Sequence, residues 1–387
     1  MTSHRDYQAG EIISISSPFV HVLRKEFKGI NCDYCFVECK SNELGKCGRC
    51  NKMYYCGKEC QQKDWIQHKL ECKIYKNKLD QLKETNHLDH LFFRFVLRLN
   101  LYLKHNPELF YERRQFLNDE NSAVSLNDIQ NQNFIPTFHR IKIKESFLYM
   151  REQFQLLEIE WDSERMTICE ELGREYGLDI FNYQIQNLGI GLYIAESQLK
   201  PFRPPSTKIL FNGIQLVMRA TKPIKTGEQI TFNNFSRSPM TIHLEPKTVS
   251  IINLNFTYTY ICMGQRHDML NERMEFLKFC GEMKSAYFCN DLNEKYRIFK
   301  KLISFMNNIC NEYDLAQILQ KIIILETYVM IENDAKELSV AELAKKLEIN
   351  LPSAYNEIFE NIYFNQEEKP HVTVVKALAN VEFNVKN

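Results

Sequence analysis

Charge of one sign is missing from this 387-residue chain: 49 Lys and Arg balance 49 Asp and Glu. That removes the global basic bias of a nucleic-acid binder. Long hydrophobic runs are missing too. The greasiest stretch, LFFRFVLRLNLYL, is interrupted by Arg94 and Arg98, so no membrane span and no membrane partner are expected. The opening MTSHRDYQAGE has no apolar segment of a secretory leader, which makes cytoplasmic and/or nuclear residence the expectation. No nucleophilic triad, catalytic acid–base pair or phosphate-binding glycine loop stands out. What remains is globular: 44% apolar and 25% charged residues, with length for two or three cores.

Cysteine is distributed unevenly. Eight of thirteen fall between Cys32 and Cys72, and in a reducing compartment such crowding points to metal rather than disulfides. The cluster contains Cys32-x2-Cys35, Cys47-x2-Cys50, Cys56-x3-Cys60 and His68-x3-Cys72. Pairs at these spacings let one tight turn or one helical turn present two ligands to one ion, and four pairs suffice for two closed tetrahedral Zn2+ sites. Closed sites fold a module and do not activate water. Cys39 completes no further pair and is expected to be structural or merely exposed.

The run from Arg49 to Cys72, RCNKMYYCGKECQQKDWIQHKLEC with Trp65 in place, closely resembles the MYND zinc finger. The resemblance implies interleaved pairs, with one structural Zn2+ on Cys32, Cys35, Cys56 and Cys60 and the other on Cys47, Cys50, His68 and Cys72.

Both flanks of the finger read as β. GEIISISSPFVHVL is rich in β-branched residues and turns at Pro18, and KILFNGIQLVMRATKPIKTGEQITF carries the hairpin signal Asn212-Gly213 and a second turn at Thr226-Gly227. Around a MYND finger these segments, with LGIGLY at 188–193, resemble the SET domain of the SET-and-MYND (SMYD) protein lysine methyltransferases. The resulting expectation is an α+β protein, a small β-rich SET-like domain split by the finger and a helical insertion and followed by an α-helical domain. Its expected segments are 1–31 (first part of the SET-like domain), 32–72 (finger), 73–160 (helical insertion), 161–265 (core SET-like and post-SET region) and 266–387 (C-terminal helices). In the last, Leu292, Tyr296, Phe299, Ile303 and Met306 form one apolar helical stripe, and Leu315, Ile318, Leu319, Ile322, Leu325 and Val329 another.

The resemblance also implies where S-adenosylmethionine and the target lysine would be held, and those positions depart from the family pattern. Lys200, Pro201, Phe202, Arg203, Pro204, Pro205 and Ser206 align with NHSCxPN and retain only the proline at 205. Lys200 places a cation where a neutral amide meets a sulfonium, and Pro201 removes a backbone donor. Tyr176 falls at the strand asparagine and Asn234 at the channel tyrosine. The front G-x-G turn is expected to be missing, because the matching segment opens at Gln8. Of the post-SET cysteines only Cys262 remains, beside an aromatic Tyr258, and one thiol cannot hold that zinc. No catalytic or cofactor-binding residue is assigned, and S-adenosylmethionine binding is in doubt.

The function expected is therefore a SMYD-like protein-interaction module, a pseudoenzyme whose finger captures proteins or proline-containing peptides beside Gln61, Gln62 and Trp65. Trp65 belongs equally well to the finger's own core. The alternative is an active S-adenosylmethionine-dependent protein lysine methyltransferase on a histone or other protein. Nucleic-acid binding has slight support: residues 32–78 hold ten Lys or Arg against six Asp or Glu.

Overall fold

The computed structural model describes residues 1–40, 43–78, 90–116, 119–130, 139–183, 186–201, 205–232, 291–309 and 338–349, with scattered positions in 282–332 and 376–380. It mixes helices with small sheets, as expected of an α+β chain. Two compact units emerge: residues 16–198 with 213–216, and residues 1–15, 199–212 and 217–387. Along the chain the strands are β1 (Ile12–Ser16), β2 (Val20–Leu23), β3 (Gly45–Lys46), β4 (Tyr54–Tyr55), β5 (Arg114–Phe116), β6 (Asp119–Val124), β7 (Gly177–Phe181), β8 (Asn187–Leu192), β9 (Lys200–Pro201), β10 (Thr207–Asn212), β11 (Gln215–Ala220) and β12 (Thr231–Phe232). The helices are α1 (Lys58–Lys78), α2 (His90–His105), α3 (Leu126–Gln130), α4 (His139–Leu156), α5 (Ser163–Tyr176), α6 (Leu292–Ile309) and α7 (Val340–Lys346).

In the finger-bearing unit, β2, β8 and β7 form an antiparallel sheet with β8 in the centre. Its register sets Leu23 opposite Gly189 and Val20 opposite Leu192. Gly189 is demanded by packing: a Cβ there would lie 2.2 Å from the Val22 carbonyl and 2.8 Å from the Phe36 ring. Helix α2 packs against α1, α5 and β2 and buries Leu91, Phe93, Phe95, Val96, Leu97, Leu99, Leu101 and Leu103 together with Arg94, Arg98 and Asn100. Helices buried all round are normally apolar all round. Here the two arginines that break the greasy run lie inside, among the largest fully buried side chains. Helix α5 starts at Asp162, whose carboxylate accepts from Arg165 N at 3.1 Å, satisfying a first-turn N–H.

The other unit contains a five-stranded sheet in the order β1-β11-β10-β12-β9. Strand β12 runs parallel to β10 and β9, with Thr207 opposite Phe232 and Lys200 opposite Thr231. Hydroxyls of Ser206, Thr207 and Thr231 tie this junction, Thr207 Oγ1 donating to Thr231 O at 2.8 Å. Helix α6 carries the expected stripe residues, with Phe299 fully buried. Ser339 and Glu342 close a reciprocal capping box on α7. Of the second stripe, Leu325 is buried, while Leu315, Ile318, Leu319, Ile322 and Val329 lie outside the described residues.

Candidate metal centres in the finger

Two knuckles of the same construction begin the site. In the first, Phe36 N donates to Cys32 O at 3.0 Å; in the second, Asn51 N donates to Cys47 O at 2.9 Å. Each turn is closed by the residue after its second cysteine in the left-handed region, Phe36 at φ 63° and Asn51 at φ 57°. Asn tolerates that conformation, whereas for Phe it costs on the order of 1 kcal/mol. Phe36 is held there by burial and by edge packing on His21, centroids 5.4 Å apart. Asp33 pins the first knuckle to β4, taking Tyr54 N at 2.7 Å and the Lys28 ammonium at 2.9 Å. The hairpin between β10 and β11 turns at Gly213, φ 59°, where a Cβ would lie 2.5 Å from the Cys35 carbonyl.

Cys56 sits in the bend between β4 and α1, and helix α1 supplies the last three donors. It presents Cys60 in its first turn, and His68 and Cys72 one turn apart on its buried side. The eight residues converge as two interleaved sets of four, Cys32–Cys35–Cys56–Cys60 and Cys47–Cys50–His68–Cys72, with all donor atoms in each set within 4.8 Å of one another. Edges of these sets measure 3.7 Å for Cys35 to Cys56, 3.4 Å for Cys56 to Cys60 and 3.8 Å for Cys47 to Cys72, all between sulfurs. A tetrahedron with Zn–S bonds of about 2.3 Å has S···S edges of about 3.8 Å. Cys50 Sγ and His68 Nε2 stand 3.4 Å apart, against about 3.6 Å for an S···N edge built from the same bond lengths. The donor sets therefore fit two structural Zn2+. Cys39 belongs to neither set, and its thiol faces the Val37 carbonyl at 3.8 Å.

The electrostatics suit a dication. The Cys35 hydrogen bond, with backbone N–H groups, brings the Cys32 thiol down to about 5 against the desolvation of the site. Burial resists ionisation of Cys47, but the N–H groups of Cys50 and Arg49 win and hold it at about 6. Cys60 and Cys72 are pushed up to about 12, first by burial and then by neighbouring cysteines. Thiolates so crowded repel one another until a cation arrives. Burial opposes charge on His68, yet hydrogen bonds with Cys50 and Glu71 and the charges of Glu71 and Asp64 outweigh it and lift the ring to about 10.

Behind the second set lies a buried polar network that the sequence did not announce. Glu71 Oε1 stands 3.4 Å from His68 Nδ1, and Glu71 Oε2 accepts from Tyr75 Oη at 2.9 Å. Arg98 donates Nε to Glu71 Oε1 at 3.0 Å, Nη2 to the same oxygen, and Nη1 to Asp64 Oδ1 and the His21 carbonyl, both at 3.0 Å. Asp64 Oδ2 takes Tyr55 Oη at 2.6 Å. Arg94 donates to the Leu23 carbonyl at 2.8 Å and lies against Tyr75. The available signal was the pair of arginines themselves: they stand four apart on a helix with no polar side, so both must be buried and both need acceptors.

On α1, Trp65 is 37% exposed and stacks edge-on to His68, centroids 5.7 Å apart. It thus braces the site and shows a face to solvent. Ile66 and Gln62 are exposed beside it and Gln61 is half-buried. Tyr176 ends α5 and donates Oη to the Ile129 carbonyl at 3.3 Å. Lys200 and Pro201 form β9, and Ser206 bonds Thr231. Phe202, Arg203, Pro204, Asn234, Tyr258 and Cys262 lie outside the described residues.

Interleaved donor sets on two knuckles, the bend at Cys56 and one helix define a zinc-finger protein of the two-ion, cross-braced class. The MYND finger family matches residues 32–72. The chain is 26% identical over 228 residues to the histone-lysine N-methyltransferase SMYD3 of Homo sapiens, covering 57% of this chain and 49% of that protein. It is 25% identical over 228 residues to the N-lysine methyltransferase SMYD2-B of Danio rerio, covering 58% and 49%. It is 23% identical over 314 residues to the histone-lysine N-methyltransferase ASHR1 of Arabidopsis thaliana, covering 77% and 60%. The finger and these relatives support the SET and MYND domain family. The chain spans about half the length of the first two relatives, 49% of each. Among the described residues no helix is long and apolar enough to cross a membrane.

Proposed function

We propose that the protein acts chiefly as a zinc-dependent protein-interaction module, with Cys32, Cys35, Cys56 and Cys60 holding one Zn2+ and Cys47, Cys50, His68 and Cys72 the other. The SET-like part is a scaffold of little or no methyltransferase activity, residing in the cytoplasm or nucleus. The observation that carries the reading is the convergence of the two four-residue sets directly beneath a solvent-facing α1 surface with a half-exposed Trp65. Proline-containing peptides suit such a surface, since an extended proline segment stacks on an aromatic face at low entropic cost. By the family resemblance, Lys200, Pro201 and Tyr176 fall at positions that hold S-adenosylmethionine through neutral hydrogen-bonding groups. Losing several such bonds weakens a micromolar ligand toward the millimolar range.

Calorimetric titration of proline-rich peptides into the zinc-loaded chain tests this. Saturable binding lost in Trp65→Ala and after chelation is the expected result; the absence of any such binding would refute it. Saturable binding of an oligonucleotide, falling steeply with salt, would instead mark a nucleic-acid surface. A second reading, an active protein lysine methyltransferase, is favoured by the similarity to SMYD3 along 57% of the chain.

A further inference from the structure

We infer that Arg98 of α2, acting through Glu71, is a positioning residue for the second metal set: it fixes the His68 ring so that Nε2 faces Cys47, Cys50 and Cys72. The inference rests on the reading of those four residues as zinc ligands.

A metal-binding imidazole must carry its proton on the nitrogen away from the ion, and an acceptor there sets both tautomer and ring angle. Glu71 Oε1 is placed for this, 3.4 Å from His68 Nδ1 while Nε2 lies 3.4 Å from Cys50 Sγ. A carboxylate on a helix can rotate, so its own aim has to be fixed. Arg98 does that with Nε and Nη2 on the same Oε1, and Tyr75 holds the other oxygen at 2.9 Å. Arg98 is anchored in turn by Asp64 and by the His21 carbonyl of β2. All three ionic side chains are 1% exposed, so no water competes for these bonds, and leaving any one unpaired is costly. The chain of contacts therefore runs from a strand of the SET-like sheet, through a residue of the helical insertion, to a ring of the finger. The finger's second ion site is completed from outside the finger segment. Glu71 reaches a donor of the second set, His68, whereas the donors of the first set lie within residues 32–60.

The test uses the full chain, with zinc release to a chromogenic chelator and the absorption of the Co2+-substituted protein, in which the all-sulfur and three-sulfur, one-nitrogen sites have different bands. The wild-type chain is expected to hold two ions; if it holds none, the zinc reading itself falls and this inference with it. Arg98→Met and Glu71→Gln should each speed release from the sulfur–nitrogen site by about 10- to 100-fold, shift its cobalt bands and leave the all-sulfur site unchanged, with Arg98→Lys intermediate. Should Arg98→Met fail to fold, Glu71→Gln, which keeps size and an acceptor, decides the matter. Unchanged cobalt bands and release at the sulfur–nitrogen site, or equal acceleration at both sites, would overturn the role and leave Arg98 as general packing.

Discussion

At the scale of single residues, burial decides which charges this molecule tolerates. His21 is the clearest case. Its ring packs edge-on to Tyr34 and Phe36 and donates from Nε2 to the Tyr34 carbonyl at 2.8 Å. Burial first, and the Arg98 charge second, depress its pKa from the usual 6.5 to about 3. The unfolded chain therefore takes up the proton first as pH falls. The stability contribution of neutral His21 is full above about pH 6.5 and is lost progressively from there toward about pH 3, by about 1.4 kcal/mol per pH unit. Urea unfolding at about pH 7.5 and about pH 5 should show this extra slope in the wild type and lose it in His21→Gln, which keeps a donor but does not titrate. Equal pH dependence in both proteins would contradict it. The eight metal-set residues were legible in the sequence because ligand spacing is a local signal. The partners of Arg98 were not: Glu71 is 27 positions away, Asp64 34 and His21 77, and no local pattern joins residues brought together by the packing of α1, α2 and β2. Phe36 was also silent, since nothing in its type announces a left-handed turn.

At the scale of elements, the two sets should behave differently although their chemistry is alike. The second set is wholly buried, whereas in the first Cys56 is exposed and Cys35 and Cys60 are half-buried. A chelator that must reach the ion should remove one zinc per chain quickly and the other slowly, the slow one leaving only with loss of helical structure. Simultaneous release of both would show that exposure does not govern access. The β10–β11 turn offers a second element-level test. Gly213→Ala meets both a left-handed φ of 59° and a carbonyl 2.5 Å away, that of Cys35, and should cost about 1–3 kcal/mol by overpacking and backbone strain. Its mark should be faster metal loss from the first set, measured against an unchanged second set. This hairpin was legible from Asn212-Gly213, as was the strand turning at Pro18. The burial of α2 on every side, with Arg94 and Arg98 inside, was not legible, because periodicity reports faces and such a helix has none.

At the scale of the whole molecule, the chain joins a finger whose metal donors are brought together to flanking helices and small sheets. The mixed α+β composition was legible from the alternation of β-branched runs and helical stripes. The clustering of β2, β7 and β8 with the finger and α2, apart from β1 and β9–β12, was not, because the sequence places these strands in series and gives no sign of which helix each will meet. The central claim is that binding through the finger, and not methyl transfer, is the protein's work. Calorimetric titration of S-adenosylmethionine into chain loaded with two zinc ions tests it most directly. No saturable heat is expected at micromolar concentrations, with the metal fully retained. A micromolar dissociation constant would contradict it, and would mean that the cation at Lys200 and the ring at Tyr176 leave the cofactor site able to bind.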